Sequence, residues 1–175
     1  MKAVVLSDTH RILDNARNVL NIFKHDADIV IHLGDLVKDA KKLEREFPCY
    51  EFYYVSGNND WRSSVSFEQK INMDGKNILI THGHRQGVSY GLLNLGLWAK
   101  KNKGDAVLFG HIHMPVIDEY NGVKIFSPGS ISLPRSTDAP TFGILEISGE
   151  NIDFSLYLYN ENGNVEKMKN FEKNF

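Results

Sequence analysis

Short apolar runs, each followed at once by a polar cluster, constrain this chain more than any other feature of its sequence. Ala3 to Leu6, Ile29 to Leu33 and Phe52 to Val55 have the length and composition of buried strands. Between the first two, Leu13, Ala16, Val19, Leu20 and Phe23 recur at helical spacing, with Asp14 near the start as a candidate cap. A weaker helical pattern runs from Leu36 to Phe47 before Pro48. The order is βαβαβ. Crossover helices make such strands parallel and put their C-terminal ends on one edge, so Asp8, His10, Asp35 and Asn58 are expected to be neighbours.

The second half changes character. Asp74-Gly75, Asn121-Gly122 and Gly149-Glu150 each sit between apolar runs and favour tight hairpin turns, so these strands are expected to be largely antiparallel. Ile78 to Thr81 and Ala106 to Phe109 again end at polar clusters, and Leu92 to Lys103, with Leu93, Leu97 and Trp98, reads as a helix. Val123 to Phe126, Thr141 to Ile147 and Ile152 to Tyr159 have the apolar and aromatic content to pack a second sheet on the first. The expected fold class is α/β, with two sheets flanked by helices. The Asn-rich, charged end from Asn160 is expected to be loosely held.

Composition sets the surroundings. With 175 residues, 42% hydrophobic and 24% charged, the chain reads as one domain, 1–175. Its 20 basic and 22 acidic side chains are interspersed and give a formal charge of -2, so no extended nucleic-acid surface and no membrane-binding face is expected. Small anionic substrates remain open, as does assembly into a homo-oligomer. Cys49 is the single cysteine, which excludes an internal disulfide and a thiolate zinc knuckle and fits a reducing compartment. Without a secretory pattern or an apolar stretch near the roughly 20 residues of a membrane span, the expected location is cytoplasmic.

The polar clusters are Asp8-Thr9-His10, Gly34-Asp35, Gly57-Asn58-Asn59-Asp60, Thr81-His82-Gly83-His84 and Gly110-His111-Ile112-His113. Taken singly, each has an ordinary reading. Asp8 or Asp35 alone would be a turn or N-cap residue, and a lone His82 or His111 a hydrogen-bonded structural histidine. Five at one rim are different: Asp8, His10, Asp35, Asn58, His82, His111 and His113 form an oxygen and nitrogen donor set suited to borderline divalent ions. Mn2+, Fe2+, Co2+, Ni2+ or Zn2+ fit such a set, whereas a magnesium or calcium cage would not need four imidazoles. Seven donors exceed the four of a structural zinc and suffice for two ions if one carboxylate is shared. His111 and His113, two apart after a strand, would face one side if the chain stays extended. His32, inside an apolar run, and His25, at a polar helix end, read as structural or surface residues. His84 and Arg11 are candidates for substrate contact, and Ser127-Pro128-Gly129-Ser130 for backbone donors to a phosphate oxygen.

The ordered set Asp-x-His, Gly-Asp, Gly-Asn-x-Asp, His and Gly-His-x-His, spanning positions 8 to 113, resembles the calcineurin-like metallophosphoesterase superfamily. Size, Asn59 and the 127–130 run are most similar to its compact single-domain bacterial and archaeal phosphodiesterases. The resemblance implies a four-layer α/β/β/α sandwich and two divalent ions per chain, Mn2+ foremost. It places Asp8, His10 and His113 on one ion, Asn58, His82 and His111 on the other, and Asp35 between them. It also implies the chemistry: ions about 3.5 to 4 Å apart clamp a small phosphodiester, and a bridging hydroxide attacks phosphorus in line. Asp35, Asn58 and His82 then form the catalytic set, and Arg11, Asn59 and His84 the substrate contacts. Two positions depart from the wider pattern. Asn59 stands where many members have a His that protonates the leaving group, and losing such an acid costs about 10² to 10⁴ in rate, least for a weakly basic leaving group. Arg11 replaces a frequent Gly. Activated or phenol-like diesters are therefore expected to be the better substrates, with phosphomonoesters as the alternative chemistry and a non-catalytic metal-binding scaffold or regulator as the alternative class. The tight His-x-His-x-Asp-His signature of metallo-β-lactamase-like sites is absent, since Met114 and Pro115 follow His113.

Overall fold

A computed structural model describes residues 1–168. The first half is βαβαβ: β1 (Lys2–Leu6), α1 (Asp14–Ile22), β2 (Ile29–His32), α2 (Val37–Glu46) and β3 (Glu51–Tyr54). The three strands are parallel, with Val5 opposite Ile31 and Ile31 opposite Tyr53. The second half continues with β4 (Glu68–Met73), β5 (Lys76–Thr81), α3 (Leu93–Lys101), β6 (Ala106–Phe109), β7 (Pro115–Tyr120), β8 (Val123–Pro128), β9 (Thr141–Ser148), β10 (Asn151–Tyr159) and β11 (Val165–Lys167).

The strands form two mixed sheets, ordered β11-β10-β9-β1-β2-β3 and β4-β5-β6-β8-β7. Strand β1 shows why Ala3 to Leu6 is apolar at every position. Ala3 and Val5 face the second sheet, against a core that includes Ile78, Ile80, Leu108 and Phe126. Val4 and Leu6 face the other way and pack with Ala16, Val19 and Leu20 of α1. Both faces are buried, so alternation disappears from the sequence. On the far side, Leu79, Val107 and Phe109 of the second sheet pack with Leu95 and Ala99 of α3. The layers are thus helix, sheet, sheet, helix, as the resemblance implies.

The turns follow their chemistry. Asp74-Gly75 and Asn121-Gly122 both take positive φ at each residue (49° and 81°; 48° and 82°), which the twist of a two-residue hairpin requires. Pairing across the second half is largely antiparallel, as expected: β4 with β5, β7 with β8, β9 with β10 and β10 with β11, with two exceptions. β5 with β6 and β6 with β8 are parallel, because α3 and then the β7 hairpin intervene as crossovers. β9 and β10 leave the second sheet altogether: β9 pairs antiparallel with β1, where the first sheet otherwise has an open edge. Asp14 does not cap α1. Leu13 holds that position, and Asp14, one residue inside, pairs with Arg17 instead. The segment from Asn160 is partly built in, since Val165–Lys167 adds to β10 and Met168 packs against the inter-sheet core; the remainder, 169–175, lies outside the described residues. Among the described residues no helix is long and apolar enough to cross a membrane.

Candidate metal centre

The C-terminal ends of β1, β2, β3, β5 and β6 meet along one rim, and the loops leaving them carry all seven donor residues. Six residues of these loops hold backbone conformations that L-residues seldom adopt: φ is 52° at Asp8, 46° at His10, 68° at Arg11, 82° at Asp35, 72° at His111 and 59° at His113. Left-handed backbone at non-glycine residues costs roughly 1–3 kcal/mol each and persists only where its surroundings impose it. Here they do. Asp39, buried in the first turn of α2, accepts hydrogen bonds from the Thr9 hydroxyl and the Arg11 amide, both at 2.7 Å, clamping the loop on either side of His10. The Ser130 and Ser132 hydroxyls donate to the Asp8 carbonyl at 2.9 and 2.8 Å.

The donors converge as two linked groups. Asp8, His10 and His113 offer ligand atoms within 4.8 Å of one another, and so do Asp8, Asp35 and His82. His10 Nε2 lies 2.9 Å from His113 Nε2, and His10 Nδ1 lies 3.1 Å from Asp35 Oδ2. On the other side, Asn58 Oδ1 is 2.9 Å from His82 Nε2 and 3.1 Å from His111 Nδ1. Two carboxylate oxygens are conspicuous. Asp8 Oδ2 is satisfied by the Ser7 hydroxyl and the His111 amide, while Asp8 Oδ1 is buried without a hydrogen bond, 3.3 Å from His113 Nε2. Asp35 likewise accepts from Asn59 Nδ2 at 2.5 Å through Oδ1 and leaves Oδ2 buried without one. Buried carboxylate oxygens are costly unless something positive meets them.

The imidazoles are set to bind a cation. His82 Nδ1 faces the Leu33 carbonyl at 2.8 Å and His113 Nδ1 the Leu133 carbonyl at 2.7 Å. A carbonyl only accepts, so each Nδ1 carries the proton and each Nε2 turns its lone pair into the centre. Burial raises the Asp8 carboxyl, but the adjacent His113 and His82 and the Ser7 hydroxyl outweigh it, and its pKa lies below the ordinary value. Burial lowers His111, with His82 adding to the effect. The donor set, the tautomers and the two orphaned oxygens fit divalent ions.

The remaining sequence candidates fare differently. His84 stands at the edge, its ring 5.5 Å from that of His82 and 6.1 Å from that of His111, its Nδ1 buried and without a partner among the described residues. Burial, followed by His82, His111 and Arg85, pushes its pKa down to about 4. Arg11 is exposed, in a left-handed loop ahead of α1 rather than at the helix start. Asn59 touches Asp35 directly. His111 and His113 are not on extended chain; with positive φ at both, their rings part, one toward Asn58 and the other toward His10. Ser127 and Ser130 are fully buried, so the 127–130 run braces the Asp8 loop from behind and offers no donors to a phosphate. His32 is buried beside Thr9, and burial lowers its pKa.

Two positioning residues carry no sequence role. Asp39 is an acid beside the apolar stripe of Val37, Ala40 and Leu43, and that misplaced charge is the signal that marks it. Asp60 accepts from the Val37 amide at 3.0 and 3.1 Å and from the Gly57 amide at 2.9 Å, capping α2 from a distance and tying the Asn58 loop to it.

Comparison with known proteins agrees with this geometry. Residues 1–150 match the calcineurin-like phosphoesterase superfamily domain. The chain is 30% identical over 172 residues to "Probable metallophosphoesterase YsnB" of Bacillus subtilis, covering 97% of this chain and 98% of that one. It is 32% identical over 161 residues to "Phosphodiesterase MJ0936" of Methanocaldococcus jannaschii, covering 83% and 93% respectively. In fold it is similar to Vps29 from Entamoeba histolytica, solved in complex with Zn2+, with a TM-score of 0.78 at 21% identity over 96% of this chain and 97% of that one. The chain belongs to the calcineurin-like phosphoesterase superfamily.

Proposed function

We propose that the chain is a binuclear metal-dependent phosphodiesterase acting on a small phosphodiester. The observation that carries this reading is the pair of buried, unpartnered oxygens, Asp8 Oδ1 and Asp35 Oδ2, each facing imidazole nitrogen. Asp8, His10 and His113 would hold one ion, Asn58, His82 and His111 the other, with Asp35 shared. Mn2+ is the preferred ion, with Ni2+, Fe2+, Co2+ and Zn2+ also suited to the donor set. When bound, two such ions supply Lewis acidity for phosphoryl oxygens and a nucleophilic water at neutral pH.

The chain's own residues then orient and exclude. Leu33 and Leu133 carbonyls fix the His82 and His113 rings through Nδ1, so both Nε2 atoms keep their aim. Asn59 holds Asp35 through its amide and has no proton of acidic character to give a departing alkoxide. The relatives named above include a phosphodiesterase, which fits a site lacking that acid. Phosphomonoesters on the same site are the second reading.

The test is hydrolysis of a bis-aryl phosphodiester by protein freed of ions and reloaded with Mn2+. Turnover that disappears in Asp35→Asn and His82→Ala is the expected result. A reloaded wild type that leaves the diester intact would overturn the reading.

A further inference from the structure

The loop after β3 and the start of α2 enclose a groove of about 450 Å³, within the ~300–1,000 Å³ range of small-molecule pockets. Asn59 lines it and also donates to Asp35, so the groove and the candidate metal centre share a side chain. Trp61 lines the groove with 91% of its surface exposed. Lys38, Lys41 and Arg62 line it too, and none of the three is in an ion pair among the described residues. The one acid in the lining, Asp60, is occupied by the Val37 and Gly57 amides. A chain of formal charge -2 therefore gathers three cations against one carboxylate, together with an exposed indole, beside its candidate metal centre. Asp60 fastens the backbone of this loop to the start of α2.

A solvated patch of lysines would need neither the tryptophan nor the shared wall. An indole face binds any flat heteroaromatic ring by stacking, and free Lys and Arg side chains bind phosphate oxygens. We propose that this groove holds one ester arm of the substrate and that the arm is nucleotide-like: a heteroaromatic ring on Trp61 and a further phosphate on Lys38, Lys41 and Arg62. This rests on the phosphodiesterase reading of the adjoining centre, although occupation of the groove itself requires no ion.

The experiment titrates the ion-free full chain, in chelator, with adenosine 5′-diphosphate, adenosine and inorganic phosphate, followed by tryptophan fluorescence and calorimetry. The diphosphate is expected to quench Trp61 and to bind about tenfold or more tighter than either fragment. Trp98, half-buried on α3, is the internal reference. Trp61→Ala should abolish the quench and weaken the diphosphate roughly tenfold, the scale of a lost stacking contact. Lys38→Ala with Lys41→Ala should weaken the diphosphate similarly and leave adenosine unchanged, with a shallower salt dependence. All these side chains are exposed, and melting curves verify that the variants fold. Absence of saturable diphosphate binding, or equal affinity in wild type and both variants, would overturn the proposal. Aryl-diester turnover by Mn2+-loaded wild type forms the parallel arm. Turnover without diphosphate binding discards the groove and keeps the phosphodiesterase, whereas binding without turnover discards the groove's place in a phosphodiester reaction.

Discussion

A β-carbon on Gly57 would stand 2.3 Å from the backbone nitrogen of Asp35, so the third rim loop packs on the second with no room for a side chain. Gly57 itself needs no unusual φ, and the constraint is space alone. Gly57→Ala is expected to displace Asp35, lowering stability by roughly 1–3 kcal/mol as overpacking does. Mn2+ titration calorimetry should show weakened binding alongside a lower melting midpoint.

Asp35→Asn is expected to separate folding from ion binding. In chelator the wild type buries two carboxylate oxygens without hydrogen bonds, so removing one charge should leave the melting midpoint unchanged or raised. Adding Mn2+ should raise the wild-type midpoint by mass action and leave that of the variant in place. Scanning calorimetry with and without ions measures both. A variant that melts well below wild type in chelator would contradict the account of the orphaned oxygens.

Asn59→His places an acid where the amide now touches Asp35. The expected outcome is a rise of about tenfold or more in the rate on alkyl monoesters relative to aryl diesters, because only the former need a protonated leaving group. Ratios of kcat/KM across the two substrate types report it. An unchanged ratio would mean that position 59 does not reach the leaving oxygen.

Tyr50 supplies a pH prediction away from the centre. Its hydroxyl donates to the Leu20 carbonyl at 2.6 Å, and burial pushes its pKa up to about 12 from the usual 10. The folded state holds this proton more tightly than the unfolded chain does. The resulting stability is complete below pH 10 and is lost as pH rises toward about 12. Unfolding free energies from urea titrations across that window should fall for wild type by an amount on the order of 2 kcal/mol. Tyr50→Phe should start about 1 kcal/mol lower at neutral pH from its lost hydrogen bond and decline less through the window.

How far the sequence reveals this molecule depends on the range of the interactions involved. The βαβαβ half was legible because Ala3 to Leu6 and Ile29 to Ile31 are unbroken apolar runs and α1 repeats at helical spacing, all local signals. The pairing of β9 with β1 was not: Gly143 and Val5 are far apart in the chain, and nothing in either strand names its partner. At the site, residue types at strand ends picked out the side chains that the fold brings together. The conformation that separates His111 from His113 did not show, because extended chain is the default after a strand and left-handed backbone is imposed here by tertiary contacts. Asp39 and Asp60 escaped for a related reason. Asp39 acts on the Arg11 amide and Asp60 on the Val37 amide, both far away in sequence, and a carboxylate on a helix or in a turn is ordinarily solvated.

The left-handed backbone at Asp8, His10, Asp35, His111 and His113 is upheld by hydroxyls, amides and packed loops, all of them protein groups. The contortion is therefore held by the polypeptide's own contacts. On the proposed metal-dependent reading, uptake of a divalent ion would ask little of the backbone, and the choice among ions would fall to the supply around the protein.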